Sequence, residues 1–143
     1  MTRTLCGALL ALALATPAAA APQVTVTQAW FRALPGKLPA GGYFTLHNGT
    51  AKNVTLRGAY SPACGMLMLH KSETMNGMAS MSDVATIDVP AGGTLSFSPG
   101  GYHLMCMEPA PAMKRGGKVA VTLQFADGTK TPVTFDVRGA NGK

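Results

Sequence analysis

Soft donor side chains crowd into one stretch of this sequence. Of its nine methionines, Met1 is the initiator, and the other eight all lie between Met66 and Met113. Two of the three histidines, His70 and His103, fall in the same window. Methionine is commonly a flexible core filler. Yet Met75, Met78 and Met81 stand in a run of polar and small residues, KSETMNGMASMSD, that does not read as core. Thioether beside imidazole is a donor set for a soft cation, above all copper(I). A reducing cytosol can leave that task to cysteine, whereas an oxidising compartment loses thiols to disulfides and leaves thioethers unpaired. A neutral Met/His set lacks the oxygens that magnesium and calcium need. Zinc takes Cys, His and carboxylate rather than thioether.

The expected compartment agrees with that chemistry. Arg3 precedes an apolar run, LCGALLALALA over residues 5–15, which Pro17 breaks before Ala18-Ala19-Ala20-Ala21. This is the pattern of a cleaved secretory signal over residues 1–21, with a run too short for a permanent span of about 20 residues. Cys6 opens the apolar run rather than ending it, which argues against a lipid-attachment cysteine. A single domain over 22–143 remains, of a size that suits one core. Losing Arg3 takes the formal charge from +6 to +5, but the basic residues are scattered, and no nucleic-acid patch is visible. An acidic protein partner fits the balance better. Cys64 and Cys106 remain as an even pair that forms either a disulfide or two small buried residues.

The elements that must position these residues are strands. Period-2 alternation marks 24–30, where Val24, Val26 and Gln28 share a face. It also marks 119–125, with Val119, Val121, Leu123 and Phe125 on one side, and 133–137. Further short strands are expected at 42–47, 53–59, 66–70, 85–89, 94–97 and 102–107. Turn signals separate them, including Asn48-Gly49, Gly92-Gly93, Gly100-Gly101, Gly116-Gly117 and a hairpin at Asp127-Gly128. Eight or nine short strands without helices imply an all-β antiparallel sandwich or barrel. Residues 34–41 and 108–117 read as loops, as does the stretch that carries Met81.

The spacing within the soft window is H-x10-M-x21-H-x-M, from His70 through Met81 and His103 to Met105. It resembles the signature of the periplasmic copper chaperones known as PCuAC. The flanks are similar too: Leu69-His70, Met78-x-x-Met81, Pro90-Ala91-Gly92-Gly93-Thr94, Pro99-Gly100-Gly101-Tyr102-His103-Leu104-Met105, the opening VTVTQAWFRALP and the closing VAVTLQFADG. The resemblance covers nearly the whole chain after the signal. It implies a cupredoxin-like Greek-key barrel that holds one copper(I) ion at one end through His70, Met81, His103 and Met105. It also implies delivery of that copper to cytochrome c oxidase assembly, at the binuclear copper centre. The partner would be an oxidase subunit or a thiol-based assembly protein. Residues i and i+2 of a strand share a face, so His103 and Met105 should point together, with Leu104 and Cys106 away. Gly100-Gly101 allows close backbone approach beside His103. Met66 and Met68 share parity with His70 and read as core beneath the site. Met75, Met78 and Met107 read as a mobile surface or a second soft shell, and His47 as a surface residue.

Rival functions are weaker on the residues. Blue-copper electron transfer needs a Cys thiolate beside two His and a weak axial Met, and no such order occurs. An enzyme is not expected: there is no Cys-x-x-Cys, no Gly-x-Ser-x-Gly and no phosphate loop, and six acidic residues in all leave few acid/base candidates. A copper-sequestering resistance protein would use the same four ligands.

Overall fold

The computed structural model describes residues 23–143; the expected signal segment lies outside them. Ten strands and no helix occur among the described residues. They are β1 (Val24–Arg32), β2 (Ala40–Asn48), β3 (Val54–Tyr60), β4 (Cys64–Met75), β5 (Met78–Asp83), β6 (Ile87–Val89), β7 (Thr94–Phe97), β8 (Tyr102–Pro109), β9 (Lys118–Phe125) and β10 (Lys130–Arg138). The hydrogen-bonded order is β5-β4-β8-β2-β1-β10-β9-β3-β6, with β7 on β2. The path rolls up until β3, near one end, lies against β4, near the other. All pairings are antiparallel except β1 with β10, which run parallel.

Where the alternation is clean, burial follows it. Val119, Val121, Leu123 and Phe125 of β9 are all buried, as are Phe135 and Val137 of β10. Asp127-Gly128 turns the expected hairpin between them. The core centres on aromatic rings: Phe44 stacks on Phe97 at 4.3 Å, and Phe135 meets both Phe31 and Phe44. Gly42 lets β2 pass close beneath this cluster, since a Cβ there would come within 2.6 Å of Phe31.

The structure differs from the sequence reading at three places. Gln28 adopts a left-handed backbone (φ 54) at a bulge, where the β1–β2 register shifts between Thr27 and Trp30. The alternation across 24–30 therefore breaks, and Phe31 becomes a fully buried residue. The strand expected at 66–70 runs on to Met75. The stretch read as a loop around Met81 is a strand, β5, joined to β4 by Asn76-Gly77. Both turn residues have positive φ (51 and 77), as a type I′ hairpin requires.

Asn48 is a buried polar tie. Its amide donates to the carbonyls of Lys52, Val89 and Pro90, and its Oδ1 accepts from the Thr50 N–H and hydroxyl. One side chain thus joins the end of β2 to the end of β6, and the buried amide leaves none of its own polar atoms without a partner.

Cys64 and Cys106 form a disulfide that closes a loop with a sequence separation of 42. Chain-entropy arguments assign a loop of this size about 4 kcal/mol of stabilisation. The midpoint of urea unfolding should fall on adding reductant, and the Cys64→Ala/Cys106→Ala protein should unfold at that lower midpoint with or without reductant. Equal midpoints for the oxidised and reduced wild type would show that the bridge contributes nothing.

Candidate metal centre

The site forms on the β5-β4-β8 end of the sheet. Pairing of β4 with β8 sets His70 directly opposite His103, and Met68 opposite Met105. Pairing of β4 with β5 sets Ser72 opposite Met81, and His70 opposite Asp83. Paired residues project from the same face, so His70, Met81, His103 and Met105 share one face of three adjacent strands. Leu69, Leu104 and Cys106 take the inward positions and are buried. The parity expected for β8 thus holds.

The imidazoles lie edge to face with centroids 5.6 Å apart. An ion about 2 Å from one nitrogen of each ring, at a tetrahedral angle, would hold the centroids about 5 Å apart. The two rings therefore stand within reach of one shared ion with little movement. Both histidines are buried. Neither ring nitrogen of His70 has a hydrogen-bond partner among the described residues. Asp83 Oδ1 comes within 2.8 Å of His70 Nε2, but too obliquely for a directed hydrogen bond. Its exposed carboxylate is free to move aside. The Nδ1 of His103 lies 3.2 Å from the Gly101 carbonyl. With Nδ1–H donating there, Nε2 keeps its lone pair for a metal. The Gly101 carbonyl also accepts from the Ser72 N–H, so the Gly100-Gly101 turn holds both the His103 tautomer and β4 at Ser72.

Burial pushes the His103 pKa below its ordinary 6.5; the Gly101 carbonyl opposes this, and the neighbouring His70 adds to it. The ring is thus held in the neutral form that binds metal.

His103, Met105 and Met81 line a depression of about 290 Å³, with Gly41, Tyr43 and Arg32 around them. Gly41 pairs with Met105, and the place its side chain would take is occupied by the Tyr43 hydroxyl, which a Cβ there would approach to 2.7 Å. His70 is not part of that lining; it stands opposite His103 on the paired strand. A larger hollow, about 560 Å³, lies between segments 33–37 and 109–115. It is lined by backbone, apolar and basic groups with no imidazole or carboxylate, so size does not mark the site. Among the described residues no three His, Cys, Asp or Glu side chains gather at one point. Any ion seated here must draw on methionine.

Three expectations are corrected. Met81 approaches from a paired strand rather than a loop, and is 52% exposed. Met66 is not core beneath the site but 57% exposed. His70 sits mid-strand in β4 rather than closing a strand. Met75 and Met78 flank the hairpin turn at the tip, well exposed. His47 is a surface residue bonded to the Thr94 hydroxyl. Arg32 and Asp83 carried no signal in the sequence, whereas Gly101 was marked there as a point of close backbone approach beside His103. Arg32 stands out here, since its guanidinium lies over both Trp30 and Tyr43, and its buried Nε lacks a partner among the described residues.

This fold is that of the PCuAC domains. The copper-bound PCuAC domain of PmoF2 superposes with a TM-score of 0.68 at 20% identity, covering 85% of this chain and 97% of that one. The apo form of DR1885 from Deinococcus radiodurans is 30% identical over 97% of both chains (TM-score 0.62). The copper(I) form of DR1885 is 29% identical over 85% of this chain and 81% of its own (TM-score 0.64). Within that class the chain belongs to the LpqE-like family, whose model matches residues 24–137. A relative in Leifsonia xyli subsp. xyli, Lxx21020, which bears a lipoprotein name, is 36% identical over 89% of this chain and 76% of its own length.

A depressed histidine pKa destabilises the fold toward acid. The unfolded chain takes up a proton near pH 6.5, before the folded chain does, so stability from this group is full above that value. It drains away as pH falls toward the lower native value. Thermal unfolding of the metal-free protein between pH 7.5 and 5.5 should show this loss, and His103→Gln should reduce the slope. An identical slope in the variant would show that His103 does not carry it.

Proposed function

We propose that this protein binds one copper(I) ion through His70, Met81, His103 and Met105 outside the cytoplasm and passes it to an acceptor by ligand exchange. The observation that carries this reading is the facing pair His70 and His103, whose rings stand within reach of one shared ion, beside a depression that Met81 and Met105 line. Two imidazoles and two thioethers suit a soft monovalent ion. DR1885, solved with copper(I), supports the same cargo.

The placement of the donors favours handover over storage. Met81 is half exposed on an edge strand, so it is the ligand an incoming donor can displace first. Exchange then proceeds by association: an acceptor's sulfur or nitrogen binds copper, Met81 leaves, and Met105 and the histidines follow. The ion stays monovalent throughout, and no electron moves. The outcome is a transfer, with no substrate bond made or broken, which is why the protein reads as a carrier rather than an enzyme. Blue-copper electron transfer is disfavoured, because Cys64 and Cys106 are both committed to the disulfide and supply no thiolate. The disulfide favours an oxidising compartment, and the lipoprotein name of the Leifsonia relative is in keeping with export. The periplasm is the reading we adopt, with respiratory oxidase assembly at the binuclear copper centre as the destination.

Met81→Leu should weaken copper(I) retention about 10-fold or more in competition with a copper(I) chelator, while the unfolding temperature of the metal-free protein stays put. In native mass spectrometry the wild type should carry one copper(I), and His103→Ala should lose it. Undiminished affinity in both variants would sink the assignment.

A further inference from the structure

We infer that Met66, Met68 and Met107 form a second, weaker soft-metal site on the same sheet face, continuous with the first. The inference rests on the proposed copper(I) site and extends it. It comes from the register of β4 and β8. Three successive outward rungs pair His70 with His103, Met68 with Met105, and Met66 with Met107. All six positions are imidazole or thioether. The alternate, inward positions hold Leu69, Leu104 and Cys106, all buried, and Leu67, packed against the core. Methionine as a gap filler belongs on that inward side. On the outward side Met66 is 57% and Met107 36% exposed, an arrangement that costs apolar exposure and fills no gap.

Geometry allows convergence. Opposed residues on antiparallel strands have Cβ atoms about 5 Å apart, and outward rungs follow each other at about 7 Å. Three rotatable bonds let each methionine sulfur range over such a distance. Met66, Met68 and Met107 can therefore close on one ion as a three-thioether set, which selects copper(I). Met68 and Met105 face each other on the rung between the two sites. An ion leaving the histidines thus meets a third thioether before it leaves the face.

The test is a titration of the disulfide-intact mature protein, carrying 13C-methyl methionine, with silver(I) as a redox-inert soft probe. The first equivalent should shift the methyl resonances of Met81 and Met105. The second should shift those of Met66, Met68 and Met107, leaving Met75 and Met78 in place. Met66→Leu/Met107→Leu should abolish the second set of shifts and keep the first. If Met81 and Met105 respond while Met66 and Met107 stay still through two equivalents, the second site is overturned and the first stands. The second site also falls if Met75 and Met78 shift together with Met66 and Met107, since any exposed thioether would then suffice. If Met81 and Met105 ignore the first equivalent, the proposed function itself fails.

Discussion

The site depends on one pairing: β4 against β8, in the register that puts residue 70 opposite residue 103. His103 has one tie, to the Gly101 carbonyl, and His70 has no directed hydrogen bond. Each is aimed by its strand, and the strands are aimed by the leucines on their other faces. Leu69 and Leu104 are paired neighbours in the same register, buried where the histidines are outward. Core packing thereby sets the distance between two imidazoles on the opposite side of the sheet. β5 extends that logic by one strand, bringing Met81 level with Ser72, one outward rung beyond His70.

Electrostatics around the site favour a low charge on the ion. The four proposed donors are neutral, and burial keeps His103 neutral. The fixed charge at the rim of the depression is the guanidinium of Arg32, held by Trp30 and Tyr43. A cation beside a metal repels a divalent ion about twice as strongly as a monovalent one. The same rim thus tolerates copper(I) and penalises copper(II). The flexible carboxylate of Asp83 on the other flank is the counterweight, and it can approach or leave as the ion does.

Much of this was legible in the sequence, and the exceptions have physical reasons. β7 and β9 show in the pattern because each buries alternate residues against one core. β5 does not show because every one of its six residues is exposed, so no hydrophobic period exists to be read. Its only trace is Asn76-Gly77, a two-residue hairpin signal between Met75 and Met78. The bulge at Gln28 is invisible because a left-handed glutamine carries no compositional mark, and it turned a simple alternation into the wrong faces. The His/Met spacing pointed to the site because donor type is a property of single residues. Arg32 and Asp83 could not be found that way: their roles arise only when distant segments become neighbours.

The disulfide has a consequence for fidelity. Sliding β8 past β4 by one residue would turn leucines outward, and the core would forbid it. Sliding by two would keep every leucine inside, so hydrophobic patterning alone does not exclude it. That misalignment would set His70 against Met105 and scatter the donors. It would also carry the two cysteines about 7 Å further along their strands. Their Cα atoms, 5.4 Å apart here, would then pass beyond the span a bridge tolerates. The covalent link at the far end of the strand pair thus works as an alignment pin against that slip: once it has closed, the arrangement that sets His70 against Met105 is no longer open to the chain.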